Sequence, residues 1–129
     1  MIEEIPFNEP DIVGFKVDGK IDNEGFEKTV VIINEALANN DKISIYAEVN
    51  SLGGMSAETF FKNLKFKFQL FGELNKFNKE AVVTDKEWLQ TAVKISDKMF
   101  PSIEVRYFAF SDKDKALAWV KDKTSQPAR

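Results

Sequence analysis

A chain of 129 residues, 43% hydrophobic and 30% charged, is too apolar to be disordered and has the size of one domain. Its net charge of −3, with Lys and Arg interspersed among Asp and Glu, supplies no basic field for nucleic acid. The absence of both His and Cys excludes imidazole and thiolate zinc sites, Ser-His-Asp triads, Cys nucleophiles and disulfides.

Taken in chain order, Ile2 to Phe7 reads as a strand that turns at Asn8-Glu9-Pro10-Asp11 and pairs antiparallel with Ile12 to Asp18. In the latter, Val13, Phe15 and Val17 alternate with Gly14, Lys16 and Asp18, the period of a half-buried strand. Asp22 caps a helix to about Asn39, with Phe26, Val30, Ile33 and Leu37 on one face. Lys42 to Val49 is strand again, and Asn50 to Gly54 turns into a helix over Ser56 to Leu74. Ala81 to Val83 forms a short strand core, followed by a helix over Trp88, Leu89, Ala92, Val93 and Met99 that Pro101 stops. Ile103 to Phe110 is the last strand and Ser111 to about Lys121 the last helix, with capping-box spacing at Thr84 with Glu87 and at Ser111 with Asp114.

Such βα alternation predicts a single α/β domain over residues 1–122, with a four- or five-stranded, mainly parallel (mixed) sheet and about four helices. Residues 123–129 read as a flexible tail. Fully sandwiched parallel strands are usually continuous apolar runs, whereas three of these strands alternate. Helices mostly on one face are therefore expected, leaving Lys16, Ser44, Tyr46, Glu48, Glu104 and Arg106 on a wetter face. The start, IEEIPFNEP after Met1, has neither the basic nor the apolar segment of a secretory signal, so a cytoplasmic location is expected.

The helix over Ser56 to Leu74 carries five phenylalanines and three leucines. Phe60, Phe61, Leu64, Phe68 and Phe71 share one face, as core packing requires. Phe66, Leu70 and Leu74 lie beside it and widen the apolar arc to roughly 220°, where about 100° suffices for a surface helix. A deeper core is the bland reading of that excess. The sharper one is a nonpolar small molecule held between this helix and the sheet by Met55, Phe60, Phe61, Leu64, Phe66 and Leu70, with Gly53-Gly54 as a hinge. A homodimer burying Phe66 and Leu70 is the next reading. Peripheral membrane contact, helped by Lys62, Lys65 and Lys67, is the third.

No catalytic residue, metal site or cofactor site stands out. SLGGMS lacks the Lys and the spacing of a phosphate loop, and Asp85 and Glu87 have capping and dipole roles that account for them. An enzyme would have to use Glu48 or Asp85 as base, without an orienting partner visible in the sequence.

The segments GFKVDGKI, FFKNLKFKFQLFGELNKFNKEAVVTDKEWL and VRYFAFSDKDKALAWV, with Ala116, Leu117 and Trp119 after an aromatic strand, resemble the SpoIIAA-like family of the STAS superfamily over nearly the whole chain. The resemblance implies a STAS-type sheet in a mostly uncharacterised bacterial group, with a non-enzymatic role in binding nonpolar small molecules. Its better-known relatives are anti-sigma-factor antagonists, regulatory protein–protein modules switched by phosphorylation of a serine in a DSSG-type loop. The corresponding loop here, Asn50 to Ala57, has no DSSG, and Ser51 and Ser56 are its phosphorylation candidates.

Overall fold

The structure, a computed structural model, describes residues 1–51, 53–54, 59, 62–63, 76–85 and 104–122. Strand β1 (Ile2–Ile5) pairs antiparallel with β2 (Ile12–Val17). Helix α1 (Asn23–Asn39), β3 (Ile43–Val49), β4 (Phe77–Val83) and β5 (Glu104–Phe108) follow, and a 3-10 turn over Phe110–Asp112 leads into α2 (Lys113–Lys121). The five strands lie in sequence order, with β2 to β5 mutually parallel.

Local chemistry accounts for the first half. The Asp22 carboxylate accepts from Gly25 N at 2.7 Å, satisfying one of the orphan N–H groups at the start of α1. From there Val30, Ile33 and Leu37 recur on the buried face and pack on Val13, Phe15, Val17, Ile43, Val49 and Val82. Burial of each such side chain contributes about 1.5–3 kcal/mol.

The second sheet face is not wet. α2 lies on the face opposite α1, and Ala116 and Val120 bury Ile12, Tyr46, Ala81 and Val83, with Phe7, Phe108, Phe110, Leu117 and Trp119 around them. Ser44 and Tyr46, expected on the solvent side, are buried, while Lys16 and Arg106 are exposed. The reason is topological. A crossover helix between parallel strands obeys the handedness rule, but α2 follows the last strand and is free to fold back beneath the sheet.

Two helices thus lie among the described residues, on opposite faces, where the sequence predicts about four on mostly one face. The expected helices over 56–74 and Trp88 to Met99 fall outside the described residues, except that Thr59, Lys62 and Asn63 are helical and exposed. No helix among the described residues is long and apolar enough to cross a membrane.

β4 extends before its apolar core Ala81 to Val83 as far as Phe77, and it contains a bulge. Pairing with β3 passes from Ile43 opposite Phe77 to Ile45 opposite Glu80, so Ser44 faces both Asn78 and Lys79. The Ser44 hydroxyl accepts from Lys79 N at 3.3 Å and so occupies an N–H that the interrupted ladder would leave over.

Candidate functional site

The loops at the carboxyl ends of the parallel strands are where open α/β sheets place ligands. Here β2 and β3 leave the sheet tied together. Asn50 N donates to Val17 O at 2.9 Å and Gly19 N to Ser51 O at 3.1 Å. The Ser51 hydroxyl accepts from Gly53 N at 3.0 Å, a local turn that fixes the half-buried serine. Gly53 (φ +61) sits so close to Lys20 that a Cβ there would lie 2.3 Å from the Lys20 nitrogen. Gly54 (φ +91) has nothing within 4 Å of the same virtual atom. The chain is therefore anchored at Gly53 and unobstructed one residue later. Of the residues predicted from sequence to bind or switch, Ser51 lies in this anchored turn; Met55, Ser56, Phe60, Phe61, Leu64, Phe66 and Leu70 lie outside the described residues.

Beside this loop, β3 presents a polar pair, Tyr46 buried and Glu48 half-buried. The Tyr46 hydroxyl donates to Glu48 Oε2 at 2.8 Å, and Lys113 Nζ stands 3.7 Å from the same oxygen. Phe7 packs edge-on against the Tyr46 ring with centroids 5.7 Å apart. Burial first, then the hydrogen bond to Glu48 and the charges of Glu48 and Asp114, raise the Tyr46 pKa well above the ordinary phenol value. Tyr46 thus holds its proton and serves as a donor. Glu48 is engaged by Tyr46 and Lys113, an arrangement of anchoring rather than proton abstraction. Spacing of two on one strand face was the sequence signal for this pair, although it did not reveal the covering helix.

At the neighbouring strand end, Thr84 N donates to Phe108 O at 2.8 Å and the Asp85 carboxylate accepts from Phe110 N at 3.1 Å. Asp85, the other candidate base, therefore holds the start of the 3-10 turn. This also corrects the expected cap at Ser111: a carboxylate from another strand satisfies the turn one residue earlier, and α2 begins at Lys113 with no side-chain cap.

Sequence reasoning missed Lys79. Its side chain, on a residue only 1% exposed, donates from Nζ to Trp119 O at 3.0 Å and to Asp122 O at 2.8 Å. An ammonium group on the last carbonyls of α2 also meets the negative end of the helix dipole. The same Nζ lies 5.1 Å from the Trp119 ring centroid, and the Arg106 guanidinium carbon lies 4.9 Å from it. Among the described residues, no group of three or more His, Cys, Asp or Glu could hold a metal ion.

A cleft of about 90 Å³ opens on the other side of the molecule, between the outer edge of β1 and α1, lined by Ile2, Glu3, Glu4, Phe15, Lys28, Thr29 and Ile32. It is well below the ≈ 300 Å³ at which small-molecule pockets begin.

Comparison with known proteins supports the same architecture. A crystal structure of an uncharacterized protein of the DUF3478 family with a SpoIIAA-like fold, from Shewanella loihica PV-4, superposes with a TM-score of 0.67 and 23% identity, covering 93% of this chain and 92% of that one. At that identity the likeness shows the fold alone. No curated protein matches the chain. The SpoIIAA-like family model matches residues 12–121, from the start of β2 to the end of α2. The mixed sheet, its two described helices and this match agree, and the chain belongs to the SpoIIAA-like family of STAS-type domains.

Proposed function

We propose that this STAS-type module is a non-enzymatic binding protein for a nonpolar small molecule, received at the Phe-rich segment 56–74. The observation that carries the reading is the exposure of Thr59, Lys62 and Asn63, which are helical and mark the solvent stripe of that segment. In sequence spacing, at 3.6 residues per turn, Phe66 and Leu70 stand seven and eleven residues beyond Thr59, close to two and three whole turns. By the same spacing Phe60, Phe61 and Leu64 are out of phase with Thr59. One helix face satisfies the domain's own core, so apolar residues on both faces require a second nonpolar environment. A bound nonpolar molecule supplies it. The residues proposed to contact it are Phe66, Leu70, Met55, Phe60, Phe61 and Leu64.

Native mass spectrometry of the protein taken from cells tests this. A co-purifying lipid-like mass, lost in a Phe66→Ser/Leu70→Ser variant with unchanged far-ultraviolet circular dichroism, is the expected result. A bare chain, or a stoichiometric protein bound at the Ser51–Ser56 loop, counts against it. The latter would make the chain a regulatory interaction module.

A further inference from the structure

β1 forms one edge of the sheet, and no strand among the described residues pairs with its outer side. An open edge is a template for an added strand unless something discourages pairing. Residues opposite one another point to the same face. Ile2 and Glu4, across from Val17 and Phe15, therefore face α1, and Glu3 and Ile5, across from Lys16 and Gly14, face α2. The cleft beside Ile2 and Glu4 offers an aliphatic side chain a place against Ile2, Phe15 and Ile32. Glu3 and Glu4 are exposed and form no ion pair among the described residues, although Lys16 stands across from Glu3 and Lys28 lines the cleft.

Charge decides the occupant. In a two-fold antiparallel pairing of β1 with a second copy, every register that joins three or more residues sets a glutamate directly opposite a glutamate. Like charges placed so are destabilising. A second copy is disfavoured. We propose that the edge of β1 is a docking site for an extended segment of another protein with the pattern aliphatic–basic–basic–aliphatic. Such a segment pairs its backbone with β1, opposes one cation to each of Glu3 and Glu4, and seats an aliphatic side chain in the cleft.

The test is a titration of the isotope-labelled full chain with synthetic peptides of that pattern, of the same composition scrambled, and of an acidic counterpart, followed by amide chemical shifts. The expected result is saturable shifts of the Ile2–Ile5, Thr29 and Ile32 amides with the patterned basic peptide only. In a Glu3→Lys/Glu4→Lys variant that peptide binds about tenfold more weakly, two attractive pairs having become repulsive, and the acidic peptide gains binding. Equal binding of basic and acidic peptides, shifts elsewhere, or no binding would overturn the proposal; in the last case the glutamates only protect the edge. Dimerisation of the parent chain through β1 would overturn it too.

Discussion

Lys79 holds the end of α2 by donating to two backbone carbonyls from a site almost closed to water. Removing one partner of a buried hydrogen bond leaves the other unsatisfied, and shortening the stem leaves a void. Lys79→Ala should therefore cost about 2–4 kcal/mol in urea unfolding, with Lys79→Met recovering the packing part. Equal losses for both would show that the stem's packing is immaterial. Tyr46 gives a second prediction. Its folded pKa is raised, so the stability it contributes is complete below the unfolded phenol pKa of about 10 and is lost as pH rises above it. In a Tyr107→Phe background, which leaves Tyr46 as the single tyrosine, tyrosinate absorbance should appear only as the chain unfolds in alkali. Early, freely reversible ionisation in the native state would contradict the buried bond to Glu48. Neither role was legible in the sequence. Lysine reads as surface by composition, and Tyr46 alternates with polar neighbours that suggest solvent. Asp22, whose capping acts within four residues, was legible.

Among the elements, the turn after β3 separates two glycines by their surroundings. Gly53→Ala should destabilise more than Gly54→Ala, because both carry left-handed backbone strain of about 1–2 kcal/mol but only the first drives a Cβ into the Lys20 backbone. Comparable midpoints for the two in thermal unfolding would remove the anchor-and-swivel distinction on which the hinge depends. Strands β2 and β3 and helix α1 were legible because each satisfies its own periodicity, and β1 from the turn at Asn8-Glu9-Pro10-Asp11 that leads into β2. The side taken by α2 was not. Its small buried residues, Ala116 and Val120, fit either face of a sheet, and the choice is made by Phe7, Phe108, Trp119 and Lys79, which come from distant parts of the chain.

For the whole molecule, the outer edge of the sheet sets association behaviour. Glu3→Thr with Glu4→Thr replaces opposed charges with strand-favouring neutral side chains, and should raise self-association over the parent in sedimentation equilibrium. An unchanged mass would mean that the glutamates do not keep copies apart. The family and the sheet were readable from sequence, whereas this edge acquired its meaning only when β1 was seen to be outermost. The bulge in β4 has a consequence at the same scale. Phe77 and Glu80 lie on one face although an odd number of positions separates them, so the alternation of the strand between the α1 and α2 faces changes phase at Asn78–Lys79. A saturation-mutagenesis map of this protein tests which of these positions the two helices bury. Polar substitution should be tolerated best at Asn78 and Glu80 and poorly at Phe77 and at the consecutive Ala81, Val82 and Val83, which α1 and α2 cover from opposite faces. Deleting Asn78 should restore a continuous alternation, with Lys79 still on the face that Ala81 and Val83 turn toward α2.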